Sequence, residues 1–437
     1  MTDQTTRPKR RPARPQRPGQ RPPTKSAGQQ RRRPAQPAAP EQFIDNLRIE
    51  RIVGAGAGIG FDEDGLAAFV PRTAPGDVIR ARVTRRQGKV YHAEIAELLE
   101  PSSMRIEPRV PDFDASGGLD FQHLGYEDQV RIKGELIAEG LRRLAKLDPV
   151  PGIDMIPSPN DWHYRSRAEF QIDHATGAVG YFAAHSHRVV DVEESPVLTL
   201  ETQALLTTLR DDMAAGLVPK TAREYRAVTG DLGSVLESTS SPRSRTVIRD
   251  VGGETYRYSA GCFFQANVPV TEAILAEVVR IAGEATAAEG LALDLYCGVG
   301  LFTLPLARLF RRTIGVESFK PAVGFAEANL ANAGLKQTRI VTAPVEHWLA
   351  GDRSPLGRVA LAVFDPPRSG AGKAIIDNLA KLKPAHVAAV SCDPATFARD
   401  VRDLVAHGYE VVSVKGFDMF PQTHHVEIVA HIRRREA

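Results

Sequence analysis

Leu293-Asp294-Leu295-Tyr296-Cys297-Gly298-Val299-Gly300 decides how the last third of this chain folds. The apolar residues from Leu291 read as a buried strand, the two glycines form a turn where backbone can approach a ligand closely, and Leu301 to Leu309 reads as a helix. Strand, glycine turn and helix make the opening unit of a doubly wound sheet. Downstream, Arg312 to Val316, Arg339 to Thr342, Val359 to Phe364, Val387 to Val390 and Glu410 to Lys415 read as further strands. Thr271 to Ala282, Pro321 to Ala333 and Lys373 to Leu382 read as helices beside them. The expected class is therefore α/β, with a doubly wound, Rossmann-like domain over residues 268–437. Ligands of such a sheet bind beyond the carboxyl ends of its strands.

Three further segments fall at those ends. Phe364-Asp365-Pro366-Pro367-Arg368 closes a strand with a proline-fixed turn that can present Asp365 in one geometry. Ser391-Cys392-Asp393-Pro394-Ala395-Thr396 places a cysteine at a strand end, where it is a candidate nucleophile as well as a small buried residue. Phe420-Pro421-Gln422-Thr423-His424-His425-Val426-Glu427 adds a carboxylate. Glu317, ending Ile314-Gly315-Val316-Glu317, stands where a doubly wound fold offers an acid to a ribose diol. The third glycine of the dinucleotide fingerprint is absent, since position 303 is Thr, and this speaks against a dehydrogenase.

The rest of the chain differs in texture. Residues 1–40 hold nine prolines, eleven Lys/Arg and one acid, a composition expected to form a disordered basic arm attracted to phosphates. The whole chain has 56 Lys/Arg and 53 Asp/Glu, so residues 41–437 carry 45 basic and 52 acidic side chains, a net −7. Residues 41–104 read as short strands (Leu47 to Val53, Ala67 to Val70, Asp77 to Arg85, Lys89 to Leu98) of a small oligonucleotide-binding type of β-barrel. The run from Gly54 to Gly60 reads as a flexible turn between them, because its glycines miss the nucleotide-binding spacing. Residues 105–267 read as a mixed α/β middle domain, with an amphipathic helix over Glu127 to Leu147 and strands at Ser166 to Asp173, Val179 to Phe182 and Arg188 to Val192. His185 and His187 read as surface groups rather than metal ligands. Three cysteines fit a reducing compartment and no disulfide framework. With neither a secretory h-region nor a long apolar span, the chain is expected to be a cytoplasmic monomer without membrane contact.

Taken in order, the four motifs resemble the RNA uracil-5 methyltransferase family, class I enzymes that use S-adenosylmethionine, and residues 41–104 are similar to the RNA-binding TRAM domain of some members. The chemistry agrees with the residue types. Carbon 5 of a pyrimidine is a weak nucleophile until a thiolate adds to carbon 6, and a base must then remove the proton at carbon 5. Cys392, Glu427 and, as a donor to the enolate oxygen, Arg368 are the candidates. The resemblance implies Cys392 as nucleophile, Glu427 as base, and cofactor contacts from Gln265, Tyr296, Glu317 and Asp365. Enzymes that methylate cytosine carry an additional Cys in the segment matching 364–368; its absence favours uracil. Leu301 stands where relatives often have Asn. Many relatives hold a four-iron cluster on four cysteines; the matching positions here are Val110, Ser116, Leu119 and Ser195, so no iron–sulfur cluster is expected. RNA is the expected partner, with 23S rRNA preferred and the T-loop uridine of tRNA as the alternative. A non-catalytic RNA-binding protein on the same fold is the rival from another class.

Overall fold

Val359–Phe364 reads Val-Ala-Leu-Ala-Val-Phe, and all of its residues are buried. Such a run suits a parallel strand covered on both faces. In the computed structural model it is one of the middle strands of an eight-stranded sheet. The order is Arg339–Thr342, Thr313–Glu317, Leu291–Leu295, Val359–Phe364, His386–Ser391, Glu427–Arg434, Tyr409–Phe417 and Ile153–Ile156. Glu427–Arg434 runs antiparallel to both of its neighbours, whereas the other pairs are parallel. The structure describes residues 41–110, 118–184, 186–242, 245–286, 290–353 and 356–435. The arm of residues 1–40, Ser116 and His185 lie outside them.

Alternate residues of the strands feed two apolar layers. Ala292, Ala360 and Val363 pack with the helices Val268–Ala285, Thr303–Leu309 and Lys320–Asn332. Leu293, Leu295, Ala362 and Phe364 pack with Tyr126–Arg143, Lys373–Lys381 and Pro394–Ala406 on the other side. Each fully buried Leu, Ile or Phe contributes about 1.5–3 kcal/mol. The strand order reverses between Leu291–Leu295 and Val359–Phe364, and that switch opens a crevice at their carboxyl ends.

Two elements inside the stretch read as the middle domain belong to this sheet. Ile153–Ile156 is its last strand, and Tyr126–Arg143 lies so close to the helix Pro394–Ala406 that a Cβ on Gly140 would sit 2.9 Å from the Pro394 carbonyl oxygen. The remaining middle residues form a five-stranded antiparallel sheet, Val189–Asp191, Ala178–Phe182, Arg167–Asp173, Glu224–Gly230 and Gly233–Ser238, with the helix Leu200–Ala214 over its core. The hairpin Thr246–Val251 and Glu254–Ser259 then leads into the eight-stranded sheet.

Residues 43–100 make a separate six-stranded sheet. The glycine run is less of a turn than its composition indicates. Only Gly54–Gly56 turns, while Ala57–Phe61 is a strand. Its glycines are needed for closeness, because a Cβ on Gly58 would overlap Thr73 and one on Gly60 would meet the Arg48 carbonyl.

Candidate active site

The turn after Leu291–Leu295 is shaped by its own backbone. Tyr296 (φ 66°), Gly298 (φ 54°) and Gly300 (φ 96°) all take left-handed conformations. A Cβ on Gly298 would meet nothing within 4 Å, so the turn faces open space on that side. Glu317, at the end of the adjacent strand, accepts the Gly298 N–H at 3.1 Å and the Ser318 and Phe319 N–H groups at 2.7 Å each. These bonds fix a half-exposed carboxylate that keeps lone pairs for a diol. From behind, Asn329 donates to the Val299 and Arg257 carbonyls at 3.0 Å each, and the Tyr256 hydroxyl donates to the Leu301 carbonyl at 2.8 Å. At position 301 a backbone group is therefore what the fold secures.

Carboxyls without cations collect at this edge. Asp294 is fully buried, accepts from Thr303 with one oxygen and leaves the other unpartnered. Burial pushes it up to about 7; the Thr303 bond opposes this, and the charges of Asp365 and Glu317 add to it. Loss of hydration also takes Asp365 up to about 7. Gln265 is buried with its Oε1 unpartnered. An open glycine turn, a fixed carboxylate and an unpaired carboxyl oxygen fit a cationic nucleoside cofactor such as S-adenosylmethionine; of the residues expected to contact it, Tyr296, Glu317 and Asp365 stand at this edge, and Gln265 is buried with an unpartnered oxygen.

Cys392 and Glu427 are brought together by strand register. Ser391 pairs with Ile428, so the next residue of one strand and the preceding residue of the other come opposite each other, with Cα atoms roughly 5 Å apart. Burial pushes the Cys392 thiol up to about 12, with Glu427 and Asp365 adding to the shift and Arg368 opposing it. Burial, reinforced by Asp365, also holds Glu427 well above the usual carboxylate range, and Arg368 again pulls it down. Arg368 thus favours the charged form of both groups. Residues around the two hold them in place. Asp393 caps the helix Pro394–Ala406 by accepting from Ala395 N at 3.0 Å and Thr396 N at 2.7 Å, with Pro394 in the first turn. Asp400 on that helix accepts from Ala371 N at 2.8 Å and Gly372 N at 2.9 Å, tying down the loop that carries Arg368.

Beside Cys392 opens a cavity of about 630 Å³. Arg368, His424 and His425 line it from the sheet, Arg143 and Lys146 from the helix end, and Val53 to Ala55 from the six-stranded sheet. Sequence reading missed what holds this cavity's wall. Lys133, wholly buried on Tyr126–Arg143, donates to Asp418 at 2.5 Å and to the Phe420 carbonyl at 3.1 Å. Gln129 and Gln422 exchange hydrogen bonds at 2.9 and 2.8 Å. His424 Nδ1 meets Asp120 at 2.5 Å. The signal was a buried polar stripe, Gln129 and Lys133 at helical spacing, on a face otherwise apolar.

At the positions that match the cluster ligands of relatives, Val110 and Leu119 pack with Tyr164 and Val197, and the Ser195 N–H donates to Gln203 Oε1 at 3.0 Å. His187 lies edge-on to Phe182 at 5.5 Å. No group of three or more potential metal ligands occurs among the described residues. No helix among them is long and apolar enough to cross a membrane.

The family model of tRNA (uracil-5-)-methyltransferase matches residues 248–435. The 23S rRNA (uracil(1939)-C(5))-methyltransferase RlmD of Pseudomonas fluorescens is 31% identical over 433 residues, covering 90% of this chain and 93% of that protein. The RlmD protein of Pseudomonas putida is 30% identical over 437 residues, covering 91% and 95%. Among solved structures, the Pyrococcus abyssi tRNA (uracil-54, C5)-methyltransferase in complex with S-adenosyl-L-homocysteine superposes with a TM-score of 0.68 at 22% identity, over 88% of this chain and 99% of that one, which is a likeness of fold. Since the sequence likeness runs through almost the whole length of these relatives and includes the sheet edge described above, the chain belongs to the family of RNA uracil-C5 methyltransferases.

Proposed function

We propose that this chain methylates carbon 5 of one uridine in 23S rRNA, with Cys392 as nucleophile and Glu427 as base. The observation that carries the reading is the register that sets Cys392, which lines the cavity, opposite Glu427, with the Arg368 charge felt by both. S-adenosylmethionine supplies an electrophilic methyl group and, as a sulfonium cation, favours the ionised forms of the carboxyls and thiol around it.

The chain's own residues do the rest. The Cys392 thiol gives its proton to solvent, and the thiolate forms an Sγ–C6 bond, which moves the ring's electrons toward C5 and O4. Arg368 is placed to donate to the developing enolate oxygen. Once C5 bears the methyl group, the Glu427 carboxylate removes the C5 proton, and the electron pair restores the C5–C6 double bond and expels the thiolate. The target base must leave its stack to reach Cys392, and the cavity has room for it.

The six-stranded sheet of residues 43–100 supports an RNA substrate as a TRAM-like module. Arg80 lies over Phe43 at 4.4 Å and Arg86 over Tyr91 at 5.2 Å, and both arginines are exposed, as suits contact with RNA phosphates. Ribosomal RNA is favoured over tRNA because the 30–31% identical relatives named above carry that activity over nearly their whole length. The three free cysteines suit a cytoplasmic site of action.

The test is nucleoside mass spectrometry of 23S rRNA and tRNA, separately purified from cells with the intact protein, without it, and with Cys392→Ala. Loss of 5-methyluridine from 23S rRNA in the last two strains is expected. Loss from tRNA alone would overturn the substrate, and a fully methylated Cys392→Ala strain would overturn the mechanism.

A further inference from the structure

We propose that the groove at the amino-terminal edge of the eight-stranded sheet is a second RNA-binding surface, which takes the sugar–phosphate backbone of RNA outside the target loop. The proposal rests on the RNA substrate read above. The groove has a volume of about 1810 Å³ and is lined by seven Lys/Arg against three Asp/Glu. It lies where strands Val359–Phe364, His386–Ser391 and Tyr409–Phe417 begin and where the antiparallel Glu427–Arg434 ends. Cys392 follows the opposite end of His386–Ser391, a six-residue strand about 20 Å long. The groove is therefore separate from the catalytic cavity.

Its charge runs against the trend of the molecule. Residues 41–437 carry a net −7, so an ordinary solvated face would be neutral or acidic. The three acids are already engaged. Asp377 pairs with Lys373 at 2.8 Å, Glu410 with Arg433 at 2.6 Å, and Glu284 with Arg280 outside the groove. Arg358, Lys381, Lys383, Arg434 and Arg435 remain, all exposed, with no carboxylate in ion-pair range among the described residues. Five cations converging from three segments of the chain onto one concavity create a positive potential that a polyanion relieves. A lining with seven lysines and arginines against three apolar residues, Ala380, Ala385 and Tyr409, fits phosphates better than a protein partner, whose interface core would be apolar and poor in lysine.

The variant Lys381→Glu/Lys383→Glu/Arg434→Glu/Arg435→Glu tests this in the full chain, since it alters only exposed side chains far from Cys392. Two RNAs serve as probes: a 23S rRNA transcript, and a short hairpin bearing the uridine methylated in that transcript. Affinity for the long RNA should fall at least tenfold, and the slope of log K against log salt should shrink by about 3, as four phosphate contacts predict. The kcat/KM on the hairpin should stay unchanged. Equal long-RNA affinity and slope in variant and parent would overturn the proposal, as would an equal loss on both RNAs. If the parent protein methylates neither RNA, the underlying substrate reading fails instead, and that result is seen without any variant.

Discussion

At the residue scale, the site is marked by charge that has nowhere to go. Asp365 and Asp294 both titrate near 7 because burial removes their hydration, with no cation beside either. Below pH 7 these carboxyls are protonated, and above it they are negative. A sulfonium stabilises the negative form and a thioether does not. The affinity ratio of S-adenosylmethionine to S-adenosylhomocysteine should therefore rise with pH through about 7, measured by calorimetry between pH 5.5 and 8.5. A ratio independent of pH would remove these carboxyls from that role. Glu427 makes a sharper case, because the proposed mechanism calls on it only after the methyl group has moved. Glu427→Gln should complete methyl transfer and then stall, leaving protein bound covalently to RNA through Cys392 on a denaturing gel. Full turnover without adduct would take Glu427 out of the mechanism. These residues were legible in the sequence because each lies in or beside a strand within a spaced motif. Their surroundings were not, since a pKa depends on neighbours that only folding supplies.

At the element scale, the carboxyl edge works because one strand runs backwards. Glu427–Arg434 enters between His386–Ser391 and Tyr409–Phe417 in the antiparallel sense, so its first residue lands at the edge where its neighbours finish. The sequence signalled the motif ending at Glu427 but not the strand that follows, since Glu-Ile-Val-Ala-His-Ile has no clean alternation; it is buried on both faces. The loop before it is held by Lys133. The Lys133–Asp418 pair is wholly buried, and burial lowers the lysine's pKa against the pull of Asp418. Removing the cation strands a buried carboxylate, so Lys133→Ala should cost about 3–5 kcal/mol in denaturant unfolding. Because the same lysine holds the Phe420 carbonyl, kcat should fall as Glu427 loses its fixed approach, with cofactor affinity retained. A stability loss under 1 kcal/mol would show that the pair contributes little.

At the scale of the whole molecule, the six-stranded sheet reaches into the chemistry. Its turn Gly54–Gly56 follows Val53, and residues 53–55 line the cavity that contains Cys392. The contact is close and specific. Gly56 has φ 72°, and a Cβ there would stand 2.8 Å from both Asp120 Oδ2 and His424 Cβ, the pair that braces the wall before Glu427. The sequence marked this turn as glycine-rich without a purpose, because the partners that demand glycine lie more than sixty and more than three hundred and sixty residues further on. Gly56→Ala should cost about 1–2 kcal/mol from the left-handed backbone alone, and more if Asp120 and His424 cannot move aside. The effect on function should divide unevenly. The cofactor crevice is built by the sheet's own turns, so S-adenosylmethionine affinity should hold, whereas kcat/KM for RNA should drop at least several-fold as the turn shifts against the cavity wall. Equal losses in cofactor and RNA binding would mean that the substitution unsettles the fold generally, and no loss in either would mean that the turn only covers the cavity without shaping it.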